Sequence, residues 1–254
     1  MTSSILSVRS LSKTYREKQV LSEISLEIKE RDFVCMLGPS GCGKSTLLRC
    51  ISGFEEYQGS IWMDGQIMQK NAPECAVVFQ DTNQLFPWKT VLSNVMYPLL
   101  LKGERRKEAY RKAEYYLEKV NMLEHKSYYP YQLSGGMKQR TAIARTLVAH
   151  PKLILMDEPF ASLDAMTRNQ LGGELCDIVR NENATVLFIT HNIQEAIVLG
   201  SRIIMLSSKG TKQMDLVNPL KKPVTPASRG YGELWETLND GLHEAAVSAW
   251  KEDQ

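Results

Sequence analysis

The chain has 254 residues, enough to bury one large or two small cores. Hydrophobic residues make up 43% and charged residues 24%, an ordinary globular balance that excludes wholesale disorder. A formal net charge of only +2 gives no support for holding nucleic acid by bulk electrostatics.

Along the chain, Ile24, Leu26 and Ile28 alternate with polar residues, the period of a half-buried strand. FVCML (33–37) is a continuous apolar run ending at Gly38, which predicts a buried strand feeding a tight turn. STLLRCIS then has helical spacing and stops at Gly53. SIWMDG and CAVVFQ read as strands separated by a loop with Pro73. Leu85, Phe86, Pro87 and Trp88 form an apolar cluster among loop-like neighbours. ERRKEAYRKAEYYLEKV (104–120) predicts a charged helical insert with Tyr116, Leu117 and Val120 among its apolar positions. A further helix starts at Ser134 and runs toward Pro151. Then come strand KLILMDEP, a helix over about 165–180, strand ATVLFITH, a short helical piece and strand RIIMLS. This alternation argues for a mostly parallel α/β sheet. KKPVTPASRGYG reads as a linker, and Leu234, Leu238 and Leu242 beyond it share one helix face.

No apolar run approaches the ~18 to 20 residues that a membrane-spanning helix needs. The N-terminus lacks the basic start and apolar core of a secretory signal. The five cysteines have no metal-type spacing, and a reducing cytosol is the expectation.

Three motifs carry chemistry. GPSGCGKST comprises Gly38, Pro39, Ser40, Gly41, Cys42, Gly43, Lys44, Ser45 and Thr46, and fits the phosphate-loop pattern between a strand and a helix. Its backbone N–H groups can cradle phosphates, with Lys44 on the β- and γ-phosphates and Ser45 on Mg²⁺. In LILMDEP, Asp157 and Glu158 end a buried strand, where acids are costly without a partner. Asp157 can hold hydrated Mg²⁺ and Glu158 can polarise the attacking water; standing alone, such a pair is more often a turn or cap. In LSGGMKQR, Ser134 is a good N-cap, and Gly135 and Gly136 expose N–H groups at a second helix start. The bland alternative is a flexible cap.

With these motifs in this order, the chain resembles the ATP-binding cassette (ABC) transporter ATPases from about Ile5 to Ser208. The resemblance implies an α/β P-loop fold: a mostly parallel core sheet, an N-terminal antiparallel β subdomain and a helical signature subdomain. It implies an ATPase domain over 1–222 with the helical part at about 85–150, then a C-terminal linker and helix over 223–254. By the same resemblance Tyr15 matches the aromatic that stacks on adenine. Gln80 matches the glutamine that senses Mg²⁺, Asp164 in ASLD the acid of the loop crossing the dimer interface, and His191 the histidine that contacts the γ-phosphate. Ser45, Gln80 and Asp157 are then the Mg²⁺ set, and Glu158, His191, Lys44 and Gln80 the catalytic residues. ATP is sandwiched between the phosphate loop of one copy and Ser134–Gly136 of a second, head to tail. The implied partners are transmembrane permease subunits and, indirectly, a substrate-binding protein, with no nucleic acid. The implied address is the cytoplasmic side of the inner membrane, peripherally bound, with the Leu85–Trp88 cluster lining a groove for the permease. LFPWKTVLSNV with LSGGMKQR is similar to the nitrate, sulfonate and taurine importer branch.

Two departures stand out. Met137 occupies a position that is often Gln, and Arg31 one that is often Gly. Cys42 is read as packing. The competing class is a soluble cassette ATPase of DNA repair or translation, which usually carries a long coiled-coil or zinc insertion; the interval from Gly43 to Gly135 is too short for a long coiled coil. A regulatory module without turnover is disfavoured by Glu158 and His191.

Overall fold

β1 (Ser4–Tyr15) and β2 (Lys18–Lys29) pair antiparallel, and the inward alternation of Ile24, Leu26 and Ile28 buries one face of the pair. The computed structural model describes residues 4–68 and 75–250, with side chains except at 82 and 247–250. β3 (Phe33–Leu37) follows, then α1 (Lys44–Ile51), β4 (Gln58–Met63) and the short β5 (Gln66–Ile67). The order β2-β1-β4-β5 makes a four-stranded antiparallel sheet, the N-terminal subdomain that the resemblance implied. The loop with Pro73 lies outside the described residues.

β6 (Cys75–Val78) stops two residues short of Gln80, so that residue sits in an exposed bend and does not end the strand. The loop-like reading after Trp88 is also corrected. Val91–Leu101 is a helix, α2, whose N-cap Thr90 accepts from Ser93 N–H at 3.2 Å. The helical insert is therefore α2 and α3 (Arg106–Lys119) together, with α4 (Gly135–Leu147) packed beneath them. β7 (Leu153–Asp157), α5 (Ala165–Asn181), β8 (Thr185–Ile189), α6 (Ile193–Leu199) and β9 (Arg202–Leu206) complete the alternation. β10 (Lys212–Val217), which the pattern missed, closes the edge antiparallel to β9. The second sheet has the order β10-β9-β3-β8-β7-β6 and is parallel in every pair but that one.

All five residues of β3, β7 and β8 are buried, because both faces of this sheet are covered. Successive residues point to opposite faces. Phe33, Cys35 and Leu37 enter a core shared with the helices from α2 onward. Val34 and Met36 enter a second core with α1 and the antiparallel sheet. α7 (Tyr231–Trp250) lies on the chain's own β9 and β10, with Leu234 and Leu238 buried and Gln213 donating to the Gly241 carbonyl at 3.1 Å. The leucine face read from the sequence is its packing face. No helix among the described residues is long and apolar enough to cross a membrane.

Candidate active site

Met36 on β3, Ile189 on β8 and Asp157 on β7 stand level in the sheet register. The chain segments that leave these strands therefore emerge side by side, on the order of 5 Å apart. They carry residues 38–46, His191 and Glu158. This is the carboxyl edge of a parallel sheet, where ligands of such folds bind.

The 38–46 loop needs its glycines. Gly43 has φ +99°, and a Cβ there would stand 2.6 Å from Leu21 Cδ2. A Cβ on Gly38 would stand 2.7 Å from Cys42 Sγ and 2.8 Å from the Leu206 carbonyl. The backbone thus curls where a side chain has no room. Ser40 and Gly41 are exposed at the crown, while Pro39, Ser45 and Thr46 are half-buried. α1 begins at Lys44, so its first-turn N–H groups have no intrahelical acceptor. Lys44 Nζ is buried under the loop and donates to the carbonyls of Gly38 (2.7 Å) and Pro39 (2.9 Å). Cys42 is buried, and burial pushes its thiol pKa up, in keeping with its reading as packing.

Ser45 Oγ donates to Asp157 Oδ1 at 2.9 Å across 112 residues of sequence. Asp157 is buried, and burial raises its carboxyl above the usual range despite the Ser45 bond. A hydroxyl beside a carboxylate that lacks a full counter-charge is a hard oxygen donor pair, and it fits Mg²⁺, which keeps waters and phosphate oxygens for its other positions. Glu158 follows with φ +44°, a left-handed conformation that costs a non-glycine residue energy. Its N–H donates to the Ile189 carbonyl at 3.1 Å, tying β7 to β8. Its Oε2 lies 2.8 Å from His191 Nδ1, a separation at which a protonated Nδ1 donates.

Tyr15 ends β1 in the neighbourhood of Thr46, with Lys13 Nζ 4.7 Å from its ring centre. It therefore borders the loop. Gln80 is exposed near the end of β6 and is not hydrogen-bonded into the group. Ser134, Gly135 and Gly136 lie apart from the loop at the start of α4. Ser134 Oγ accepts from Met137 N–H at 3.3 Å, and Cβ atoms on the glycines would face Leu163 and Thr167. Asp164 caps α5, accepting from Thr167 N–H at 3.0 Å, and those hydrogen bonds hold its carboxyl below the usual range. Residues 38–46, Tyr15, Asp157, Glu158 and His191 thus form one group, and Ser134–Gly136 with Asp164 a second. Arg31 has φ +66°, which accounts for a glycine-like demand at that turn.

Some supporting residues escaped the sequence. Glu195 accepts from the Thr190 hydroxyl just before His191, and burial raises its carboxyl. Arg168, 3.7 Å from Glu195, donates to the Leu163 carbonyl at 2.9 Å and so joins the 161–164 loop to the His191 turn. Arg145 Nη1 donates to the Gln84 carbonyl at 2.9 Å, and the Gln84 amide bonds both backbone groups of Phe79 beside Gln80. Buried Asn94 accepts from Phe86 N–H at 2.8 Å and shares its amide protons among the carbonyls of Phe86, Lys89 and Thr90. The 85–88 cluster splits: Leu85 is core, whereas Trp88 is 71% exposed. A cavity of about 380 Å³ opens at the opposite end of the sheet, near Glu30, Arg31 and Lys152, and holds neither the phosphate loop nor Asp157, Glu158 or His191. A loop that grips phosphate at strand tips needs no enclosed pocket.

The protein family described as "ABC transporter" matches residues 21–161. A nitrate import ATP-binding protein of Synechocystis sp. is 44% identical over 214 residues, covering 83% of this chain and 80% of the relative. An aliphatic sulfonates import ATP-binding protein of Bacillus cereus is 40% identical over 225 residues, covering 88% of each chain. Among solved structures, the dimeric post-hydrolysis state of an ATP-binding cassette bound to ADP and Pi superposes with a TM-score of 0.73 at 30% identity, covering 84% of this chain and 98% of that one.

Proposed function

The chain belongs to the ABC transporter family and hydrolyses ATP within it, and from that premise we propose that it energises import of a small solute such as nitrate, a sulfonate or taurine. The observation that carries the chemistry is the meeting of Lys44, Ser45, Asp157, Glu158 and His191 at three level strand ends. Lys44, now on loop carbonyls, exchanges them for phosphate oxygens when ATP enters the curl of 38–46. Tyr15 borders the loop where adenine would stack. Ser45 and Asp157, with Gln80 nearby, are the residues that would hold Mg²⁺, and the ion would supply positive charge beside the transferred phosphate. Glu158 accepts a proton from the attacking water, while His191 holds the carboxylate in place and points toward the γ-phosphate.

The group at Ser134–Gly136 and Asp164 is a second N–H-rich helix start with an acid nearby, open to solvent in one chain. In our reading it closes over the ATP of a second copy, head to tail. The remaining partners are transmembrane permease subunits, which meet the loop bearing Trp88, and through them a substrate-binding protein. The chain then works peripherally on the cytoplasmic face of the membrane. Matched relatives named for nitrate and sulfonate import support the solute class.

The experiment is reconstitution of the chain with its permease in liposomes. ATP-dependent, Mg²⁺-dependent uptake of nitrate, taurine or an alkanesulfonate is expected, and is expected to vanish with Glu158→Gln. Hydrolysis in the assembled complex with no uptake of any of the three solutes would reject the import reading of solute class while leaving the ATPase intact.

A further inference from the structure

A cavity of about 270 Å³ lies away from the carboxyl edge of the sheet, between the end of α5, the entry to β3 and residue 222 of the C-terminal linker. Three of its lining residues are cations, Arg31, Arg180 and Lys222, and no carboxylate lines it. Phe33, Val179 and Leu199 form an apolar wall, each nearly fully buried. Glu30 and Asp32 flank Arg31 in sequence and Glu182 follows Arg180, yet none of them lines the cavity: Asp32 accepts from Lys29 N–H and Glu182 from the Tyr116 hydroxyl. Asp177 reaches Arg180 only at 3.7 Å, and both side chains are more than half exposed, so that pair is weak.

Lys222 is the telling member. Its Nζ donates to the carbonyls of Ile197 (3.1 Å) and Val198, the end of α6. Carbonyl dipoles are all that its hydrogen bonds supply, and burial lowers the ammonium pKa. A cation held between neutral acceptors, beside a cavity with two guanidinium groups and no acid, favours a bound negative charge. The apolar wall gives a tail somewhere to go, and the volume holds a chain of about six carbons. The Cys176 thiol on the same wall is raised by burial and stays protonated, so it adds no competing charge.

We propose that this cavity binds a small organic monoanion, a sulfonate or carboxylate on a short alkyl chain, with the head group between Arg31, Arg180 and Lys222 and the tail against Phe33, Val179 and Leu199. An occupant there ties the linker to α5. The same linker continues through Val224–Pro226, which wall a second cavity beside Arg168 and Glu195. The bound anion therefore braces the C-terminal segment next to the helix that follows His191.

The test uses the full chain saturated with ADP, so that the phosphate loop is filled and takes up no added anion. Calorimetric titration with hexanesulfonate, hexanoate, inorganic sulfate and 1-hexanol separates the parts of the claim. Hexanesulfonate or hexanoate should bind at one site. Sulfate should bind at least tenfold more weakly because it lacks a tail, and hexanol at least tenfold more weakly because it lacks charge. Arg180→Glu, at an exposed position that tolerates charge, should weaken the anion at least tenfold and leave ADP affinity unchanged. Lys222→Met should do the same while keeping the aliphatic stem. Amide exchange over 222–226 should slow when the anion binds. Equal binding of hexanol, equal binding of sulfate, or undiminished hexanesulfonate affinity in Arg180→Glu would each overturn the proposal, as would no binding at all.

Discussion

His191 Nδ1 and Glu158 Oε2 stand 2.8 Å apart, although they leave different strands and are 33 residues apart in sequence. The Glu158 backbone beside this contact is left-handed, with φ +44°. Glu158→Gln keeps the shape and removes the proton acceptor. Steady-state phosphate release should fall by about 10²–10⁴-fold with ATP affinity retained, and gel filtration with ATP should show a trapped dimer. His191→Ala should lower turnover with less effect on ATP affinity. Unchanged release by Glu158→Gln would remove Glu158 from the mechanism.

Asp157 leads to a linkage prediction. Burial raises its folded pKa above the unfolded value near 3.8. The folded state therefore binds the proton more tightly, and this group's contribution to stability falls as pH rises from the unfolded value through the raised one. Above that window the buried charge is a standing cost. Asp157→Asn should raise the melting temperature of the nucleotide-free protein by a few degrees at neutral pH, at about 2–4 °C per kcal/mol for a chain of this size. It should also flatten the melting-temperature profile over that acid window and abolish the Mg²⁺-dependent stabilisation by ATP. A lower melting temperature without nucleotide would contradict the charge argument.

Asn94 and Trp88 should separate folding from coupling. Trp88→Ala removes an exposed ring, so stability should stay within about 0.5 kcal/mol and ATP binding should survive, while transport or assembly with the permease falls. Asn94→Ala strips the 86–90 loop of its buried bonds and should cost about 1–3 kcal/mol by denaturant titration. Normal transport by Trp88→Ala would dissociate that ring from docking.

Leu238 tests the C-terminal helix. It is fully buried between α7 and the sheet, so Leu238→Ala should cost about 2–5 kcal/mol. Intrinsic hydrolysis, measured below the new unfolding range, should persist because the strand ends are untouched. Removal of 224–254 should expose Met205 and Met214 and promote aggregation. A stable, soluble truncation would show that α7 contributes little to its own cassette.

What the sequence disclosed follows from range. β3, β7 and β8 were legible because strands buried on both faces become unbroken apolar runs bounded by turn residues. The phosphate loop was legible because its constraint is local: glycine where a Cβ would strike Leu21 or Cys42. α2 was not, since VLSNVMYPLLL is apolar on nearly every side and Pro98 within it masks the helical period. β10 was hidden because it is an edge strand with no fully buried residue. Glu195, Arg168, Arg145 and Asn94 are ordinary surface-type residues by composition. Their importance lies in partners distant along the chain or in a fold of the loop that no spacing encodes. Asp164 came into view only through the resemblance, and its capping of α5 emerged with the fold.

The division of β3 between two cores constrains how this protein can change. Odd-numbered residues serve the helical side and even-numbered ones the side with α1, with Leu37 immediately before the phosphate loop. Deletion of a single residue between 33 and 37 would exchange the contents of both cores at once and turn Gly38 toward the wrong face. Substitutions there can be absorbed one at a time, whereas changes of length cannot. Such a strand acts as a ruler: the tolerance for insertions must drop to zero along β3 and recover only in exposed turns such as that between β1 and β2.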